Sequence, residues 1–371
     1  MPNYDSFQVP LAMHLLSGWV HHCPSFWKWL GNLETASLGD ALADHPIDRP
    51  VYVTGLARGG TTILLEFLAA HREVATHRYR DFPGVFVPTW WDRGYQNTDP
   101  APAQERAHGD RLKVTPNSPE AIEECVWMAF FDNLHRPEIS NILDETINHR
   151  EFEEFYRAHV RKMLMVRHGK RYVAKGNYNL TRMQYLLKLF PDARFVVAIR
   201  NPRNHIASLI KQHKLFCAAE RQYPRALEYM RRVGHYEFGL DLRPINTGDS
   251  SVVRSIEQLW ESDEYVRGWA RYWANLYGWL VHVFCYEHLC DRPHEALGTV
   301  LQHCDLPDAQ LLESFAGKIA APTYYEPDFT IEEVQAIEEE TAAVVRKFEG
   351  LWKRDYGQGT TDATTTVVPI P

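Results

Sequence analysis

The stretch "VYVTGLARGGTTILLEFLAAH", residues 51–71, carries the pattern that decides the fold. A short apolar run rich in β-branched residues predicts a buried strand, the glycines after it predict a turn, and the apolar periodicity that follows predicts a helix. A turn that leads from a strand into a helix presents backbone N–H groups and a helix dipole to a phosphate. We therefore predict a phosphate-binding loop at residues 55–62.

This loop differs from the loop of triphosphate-hydrolysing proteins at one position. The pattern G-x-x-x-x-G-K-[ST] has a lysine that reaches the β and γ phosphates, but Thr61 stands there and the nearest cation is Arg58 inside the loop. Gly59 and Gly60 let the backbone approach a phosphate, and Thr61 and Thr62 add hydroxyl donors. The missing lysine argues against a triphosphate ligand.

A second anion site is predicted at the end of another apolar strand, within "RFVVAIRNPRNHIASLIKQH". Triphosphate enzymes place a magnesium-binding Asp at such a strand end, whereas this strand ends in Arg200. Asn201 suits a helix N-cap and Pro202 a first helical residue, so Ser208 lies about 9 Å along the helix at about 1.5 Å per residue. Arg200 and Ser208 are then predicted to hold a second phosphate. The alternative is that Arg200 is a surface or helix-capping arginine.

The order of the other elements predicts an α/β fold, a P-loop-like parallel sheet flanked by helices. The four predicted strands are 51–54, 171–174, 194–199 and 280–285. A helix is predicted at 180–190, and 84–120 is loop-like. We expect a single domain over 1–371. It comprises an N-terminal helical segment at 1–49 and a loose tail at 354–371. Two helical insertions, at 84–168 and 216–268, are expected to form an acceptor-side lid.

Residues 11–30 form an apolar helical stripe that Pro24 is expected to split into two helices. A helix that lies on a membrane normally carries Lys and Arg on its polar face, and such residues are few here. Packing within the protein is therefore the favoured interpretation.

The bulk properties exclude several classes of protein. The 371 residues carry a net charge of −8, which argues against a protein that binds nucleic acid or an anionic membrane over a broad surface. The six cysteines show no zinc-ligand spacing. Because no secretion signal or membrane-spanning apolar run is evident, we expect a cytoplasmic protein without integral membrane association. The sequence indicates neither the oligomeric state nor the identity of the acceptor.

The two phosphate-binding segments together resemble the sulfotransferase superfamily, which uses 3′-phosphoadenosine 5′-phosphosulfate as its sulfonate donor. The family's 5′ loop, [KR]-S-G-T-T, is matched by residues 58–62, with Gly59 in place of the usual Ser. Its 3′-phosphate motif places an Arg eight residues before a Ser, as Arg200 and Ser208 are placed here. The resemblance implies that these residues bind the two phosphates of the donor and that no metal is needed.

Two further segments resemble the bacterial and protein-tyrosine branches of that superfamily. "AKGNYNLTRMQYLLKLFPDARFVVAIRNPR" places Lys175 on the family's donor-contacting lysine, although Asn177 replaces the usual Pro. "VFCYEHLCDRPHEALGTVLQHCDLP" places Tyr286 at a position that helps to hold the nucleotide. One departure is Gln212, which stands where the tyrosine branch has a second Arg.

The resemblance implies a general base, Glu or His, in the segment after the loop helix. That segment, "VATHRYRDFPGVF", lacks the Glu. Asp81 and His77 are the two candidates, and Asp81 is preferred because a carboxylate is the closer substitute. The alternatives are an Asp81 salt bridge to Arg78 or Arg80 and a hydrogen-bonded core histidine at His77.

The implied reaction is in-line sulfonate transfer to a hydroxyl acceptor, namely a carbohydrate, a phenol or a lipid-like alcohol. Lys175 and Arg58 are the catalytic cations that the resemblance implies. Two alternatives stay open: an atypical phosphate-loop kinase or hydrolase, which would need magnesium, and a nucleotide-binding protein without catalysis. The glutamates of "AHGDRLKVTPNSPEAIEECVWMAFF", Glu124 among them, are interpreted first as helix and capping residues, with acceptor binding as the weaker hypothesis.

Overall fold

The structure, a computed structural model, describes residues 4–95, 104–105, 113–280, 284–319 and 327–348. Its seven strands are β1 Val51–Thr54, β2 Val74–Ala75, β3 Gln104–Glu105, β4 Lys113–Val114, β5 Arg171–Lys175, β6 Arg194–Ile199 and β7 Phe284–Cys285. Its helices are α1 Leu11–His22, α2 Pro24–Leu38, α3 Thr61–Ala69, α4 Pro88–Tyr95, α5 Glu124–Phe130, α6 Arg150–Arg167, α7 Met183–Leu189, α8 Pro202–Gln222, α9 Pro224–Val233, α10 Ser250–Trp260, α11 Tyr265–Trp279, α12 Tyr286–Asp291, α13 Pro293–His303, α14 Ala309–Ala316 and α15 Ile331–Lys347.

Five strands form one sheet in the order β2-β5-β1-β6-β7, and every neighbouring pair is parallel. In the central strand, Val53 pairs with Lys175 of β5 on one side and with Val196 of β6 on the other. Because the strands are parallel, all five carboxyl ends meet at one edge of the sheet, which is where open α/β sheets bind their ligands. Strands β3 and β4 form a separate antiparallel pair.

Helices cover both faces of the sheet. Successive side chains of β1 point alternately to the two helical layers. Val51 and Val53 pack into the cluster that contains α3 and α13, whereas Tyr52 packs into the cluster that contains α5 and α6. All three side chains are fully buried. A strand covered on both faces has no polar alternation, which explains the continuous apolar run in the sequence.

The predicted α/β class is confirmed, and strands β1 and β6 have the predicted bounds. Strand β5 extends one residue further, to Lys175. The last predicted strand is observed at Phe284–Cys285, while 281–283 lie outside the described residues, as does the predicted tail at 354–371. The predicted helix at 180–190 begins at Met183, after a 3-10 turn at Asn177–Thr181.

Two predictions about segments need correction. Part of the predicted loop at 84–120 is the helix Pro88–Tyr95, because Pro88 suits the start of a helix and Thr89 donates to the buried Glu34 carboxylate at 2.6 Å. The N-terminal stripe is split at Pro24 as predicted, but only part of it packs inside the protein. Within the described residues, no helix has the length and apolarity to cross a bilayer.

Candidate functional site

The predicted phosphate loop connects the central strand to α3 at the carboxyl edge of the sheet. Its backbone enters the left-handed region at Gly55, Arg58 and Gly60, with φ of 138°, 70° and 99°. Arg58 is not a glycine, so this conformation costs about 1–2 kcal/mol, and such strain is typical of functional loops. Thr61 and Thr62 are the first two residues of α3, so the loop amides lie at the positive end of that helix.

Tyr286 packs directly on the loop. A Cβ atom on Gly60 would lie 2.5 Å from Cδ2 of the Tyr286 ring, so only glycine fits there. The Arg200 guanidinium carbon lies 5.0 Å from the centroid of the same Tyr286 ring. The structure thus brings together the loop, Tyr286 and Arg200, which the sequence places far apart.

Arg200 has the environment of an anion-binding residue. Its side chain is 9% exposed, and its Nε has no hydrogen-bond partner. Across the described part of the chain, no carboxylate forms an ion pair with it. A buried guanidinium without a counter-ion is costly, so this site is suited to a bound anion.

Ser208 lies beside the loop on α8. The Arg58 Nε donates to the Ser208 hydroxyl at 3.4 Å, a long hydrogen bond. Ser208 therefore contacts the 5′ loop through Arg58. The predicted sharing of one phosphate between Ser208 and Arg200 stays a prediction.

Three buried side chains that sequence analysis missed hold the loop in place. Trp273 donates to His205 Nδ1 at 3.1 Å, so His205 Nε2 carries the proton and donates to the Ala57 carbonyl at 2.8 Å. Burial, with the charges of Arg200 and Arg58, lowers the pKa of His205 to about 3, so this imidazole is neutral at physiological pH. Its spacing of three residues from Ser208 on α8 was the available signal.

Tyr277 on α11 connects the loop to strand β6. Its hydroxyl donates to the Ala198 carbonyl at 2.9 Å and accepts from the Leu56 amide at 3.2 Å. Both contacts span long sequence separations. The loop is therefore supported by buried hydrogen bonds from α8 and α11.

The same packing leaves little room at Gly59, which stands where the resembling loops have Ser. A Cβ atom on Gly59 would lie 3.0 Å from the Leu56 carbonyl oxygen and 3.3 Å from Cε1 of His205. Both contacts are tight, so a side chain at this position would require its neighbours to shift by a few tenths of an ångström.

Lys175 is the last residue of β5 and pairs in register with Val53, just before the loop. Its side chain is partly exposed. The residues after it are anchored, because Thr54 donates to the Gly176 carbonyl at 2.7 Å and the side-chain amide of Asn177 donates to the Glu237 carboxylate at 2.8 Å. Lys175 thus stands at the same sheet edge as the loop.

Asp81 and His77, the candidate bases, follow the edge strand β2 and are both buried, with exposures of 3% and 2%. Asp81 forms an ion pair with Arg167 and accepts from the Arg78 amide at 2.9 Å. His77 Nδ1 lies 3.4 Å from an Asp81 carboxylate oxygen, and its Nε2 lies 3.0 Å from Nε2 of His159. The ion-pair partner of Asp81 is therefore Arg167, and not the side chain of Arg78 or Arg80 as the sequence alternative had it.

This pairing changes the acidity of Asp81. Burial opposes ionisation, but the neighbouring His77 and the Arg167 charge outweigh it and lower the pKa of Asp81 to about 2. A carboxylate with so low a pKa is a weak base. The catalytic role of either residue stays a prediction.

In the described ranges, one group of three side chains has donor atoms close enough to hold a metal ion: His77, Glu123 and His159, all within 4.8 Å of one another. These residues already contact each other or tyrosines, since Glu123 accepts from Tyr156 at 2.9 Å and from Tyr172. Burial raises the pKa of Glu123. The group belongs to the buried network around Asp81, since His77 lies 3.4 Å from the Asp81 carboxylate.

Replacement of Asp81 by Asn is expected to remove a pH-dependent part of the stability. The pKa of Asp81 is depressed from 3.8 to about 2, so its contribution is present above about pH 4 and is lost as the pH falls towards 2. The difference corresponds to about 2–3 kcal/mol. Urea unfolding of wild type and Asp81→Asn between pH 7 and pH 2 measures it, with the exposed Asp263→Asn as control. A stability difference that stays constant over this range would contradict the assignment.

Comparison with known proteins yields one family. A sequence profile described as "Sulfotransferase family" matches residues 50–310. The omega-hydroxy-beta-dihydromenaquinone-9 sulfotransferases Stf3 of Mycobacterium bovis and Mycobacterium tuberculosis are each 28% identical over 211 residues, which cover 53% of this chain and 52% of theirs. The chain thus spans about half the length of the curated relatives it matches.

Two solved structures similar to this chain are also of sulfotransferases, at lower sequence identity. Sulfotransferase STF9 from Mycobacterium avium is 15% identical, with a TM-score of 0.47, over 85% of this chain and 81% of that one. Sulfotransferase STF1 from Mycobacterium tuberculosis is 15% identical, with a TM-score of 0.42, over 87% of this chain and 83% of that one.

Proposed function

Because the chain belongs to the sulfotransferase family, we propose that it transfers a sulfonate group from 3′-phosphoadenosine 5′-phosphosulfate to an acceptor hydroxyl. The observation that carries the proposal is the buried Arg200, whose Nε lacks a partner and whose guanidinium faces the Tyr286 ring. Tyr286 also packs on Gly60 of the phosphate loop. A nucleotide with one phosphate in the loop and a second at Arg200 fits this pair of sites.

In the proposed reaction, the bond between sulfur and the bridging phosphate oxygen breaks as a bond from the acceptor oxygen to sulfur forms. The amides of residues 59–62 hold the 5′-phosphate that leaves. Lys175 and Arg58 stabilise the charge that develops on the bridging oxygen and the sulfonyl group, and such preorganised charges usually supply the largest catalytic term. Neutral His205 contributes by holding the loop backbone in the binding conformation.

The acceptor proton goes to a general base, for which Asp81 and His77 remain the proposed candidates. Both side chains are buried in the structure. An acceptor therefore reaches them only if the segment after β2 moves. The Asp81→Asn variant tests this role as well. If Asp81 is the base, the variant loses turnover even at a pH where it is as fully folded as wild type.

We propose a lipid-like alcohol from among the three acceptor classes. The matched Stf3 relatives are named for a hydroxylated dihydromenaquinone. The predicted acceptor-side segments, 84–168 and 216–268, both contact the residues that follow Lys175. Arg182 pairs with Glu124 from the first segment, and Tyr178 accepts from the Tyr236 amide of the second at 3.0 Å. These contacts support placing the acceptor beside Lys175.

The decisive experiment is calorimetric titration with 3′,5′-adenosine bisphosphate in a chelating buffer. We expect wild type to bind and Arg200→Ala to bind about 10- to 100-fold more weakly, because a charge-assisted hydrogen bond contributes about 1.5–3 kcal/mol. The exposed Arg203→Ala on the same helix is the matched control and should bind like wild type.

Other outcomes separate the alternatives. If wild type ignores the bisphosphate but binds a nucleoside triphosphate with magnesium, the proposal is wrong and a phosphate-loop kinase or hydrolase is favoured. Bisphosphate binding without donor turnover on any hydroxylated lipid, sugar or phenol would instead favour a nucleotide-binding protein without catalysis.

A further inference from the structure

The helical hairpin formed by α1 and α2 presents large apolar side chains to solvent. In the described part of the chain, ten such side chains are exposed, and seven of them belong to this hairpin, with exposures from 38% to 63%. We call these seven side chains the hairpin face; they are Leu11, Leu15, Leu16, Trp19, Phe26, Trp29 and Leu33. So dense a set of exposed apolar side chains indicates an interaction surface.

The hairpin face is continuous across both helices. Leu11, Leu15 and Trp19 recur every four residues along α1, and Phe26, Trp29 and Leu33 follow helical spacing along α2. At the junction, the Trp19 and Phe26 rings stack with their centroids 5.2 Å apart. The two stripes therefore form one apolar surface.

The opposite side of the hairpin is firmly anchored, so the exposure does not come from a loose segment. Val20 and Trp27 are buried against the rest of the protein. Arg232 of α9 donates to the His14 carbonyl at 2.7 Å. At the end of α2, Glu34 and Lys162 form a fully buried ion pair at 3.0 Å. The hairpin is a rigid platform with one apolar side turned outward.

The charge around the hairpin face favours a lipid surface as its occupant. Residues 6–33 contain no Asp or Glu, although the chain has 48 acidic residues and a net charge of −8. Lys28 is the one Lys or Arg of this segment, and its ammonium pairs with Glu151 of α6 at 3.4 Å, while His14 lies 3.6 Å from Glu228 of α9. Contact with a bilayer would thus desolvate no carboxylate that belongs to the segment itself, and the nearest ones, Glu151 and Glu228, already pair with Lys28 and His14.

The residue types point the same way. Trp is enriched at the boundary between lipid headgroups and acyl chains, and helices that lie in this boundary bury an apolar face of Trp, Phe and Leu. The hairpin face consists of these three residue types alone. The scarcity of Lys and Arg means that apolar burial, rather than charge attraction, supplies most of the binding.

We propose that the hairpin face docks the protein on the surface of a phospholipid bilayer without spanning it. This surface is separate from the phosphate loop and does not depend on the identity of the donor or acceptor. It revises the sequence-based expectation that the whole stripe packs inside the protein.

Vesicle flotation tests the proposal with the full chain. Vesicles of phosphatidylcholine containing phosphatidylglycerol are mixed with wild type, with Trp19→Ser/Trp29→Ser, and with a control, Leu240→Ser/Ile139→Ser. The control removes two exposed apolar side chains outside the hairpin. We expect wild type and control to float with the vesicles, and the tryptophan variant to lose at least about tenfold in partitioning, since apolar area drives binding. Circular dichroism and bisphosphate affinity verify that each variant is folded.

Two outcomes would overturn the proposal. One is that wild type does not partition onto vesicles, or that the tryptophan variant partitions equally well. The other is that sedimentation velocity shows a dimer that the tryptophan variant loses while no species binds vesicles, because the face would then join two copies of the chain. If the tryptophan variant fails to fold, Leu15→Ser/Leu33→Ser replaces it, and unchanged partitioning of that variant counts equally against docking.

Discussion

Replacement of Lys175 by methionine is expected to lower turnover by about 10²- to 10³-fold and to change the affinity for adenosine bisphosphate by less than about tenfold. Lys175 ends β5 next to the central strand, in register with Val53. This position puts its cation at the sheet edge where the loop begins. In the proposed reaction it acts on charge that develops during transfer, so its loss raises the barrier more than it weakens the ground-state complex.

The control for this prediction is Lys170→Met, just before the same strand. Lys170 is exposed and pairs with Glu73 at 2.8 Å, a surface contact worth little. Turnover with the sulfonate donor and a hydroxylated lipid, and bisphosphate titration, are measured on both variants. Equal turnover in wild type and Lys175→Met would contradict the catalytic assignment of this lysine. A parallel loss of turnover and bisphosphate affinity would reduce Lys175 to a binding residue.

Replacement of Glu124 by Gln is expected to lower the free energy of unfolding by about 3–5 kcal/mol, the usual cost of breaking a buried ion pair. Glu124 accepts two hydrogen bonds from the Arg182 guanidinium, at 2.8 and 2.7 Å, and lies 2.7 Å from His135 Nε2. Burial opposes its ionisation, but Arg182 and His135 lower the pKa of Glu124 to about 2. The Gln variant keeps the shape of the side chain and leaves Arg182, only 1% exposed, without its anion.

Urea unfolding at neutral pH measures this effect, and Glu154→Gln is the matched control. Glu154 forms an exposed pair with Arg150 at 2.7 Å, so its loss should cost less than about 1 kcal/mol. The same variant decides the weaker hypothesis that Glu124 binds the acceptor. Unchanged stability together with a raised acceptor KM would contradict the structural role and favour acceptor binding.

Local pattern was sufficient to predict much of the fold and the two strand-to-helix segments on which the candidate nucleotide site is built. The apolar run, glycines and helical periodicity of residues 51–71 predicted β1, the loop and α3, because each depends on neighbouring residues. Asn201 and Pro202 likewise predicted the start of α8, and the Asn201 side chain accepts from the Arg203 amide at 3.1 Å. Strand β2 was missed because two residues are too few for a periodic signal.

The partners of the polar side chains were decided by tertiary structure. Arg167 reaches Asp81 from α6, Arg182 reaches Glu124, and His205 holds the loop through Ala57, each across many residues of chain. Tertiary structure also decided which side of the N-terminal hairpin is exposed, because Val20 and Trp27 pack against the rest of the protein while the side chains of the hairpin face stay exposed. Sequence periodicity specifies which residues share one side of a helix or strand, since that follows from local backbone geometry. It does not specify which distant element covers that side, because that depends on how the whole chain packs.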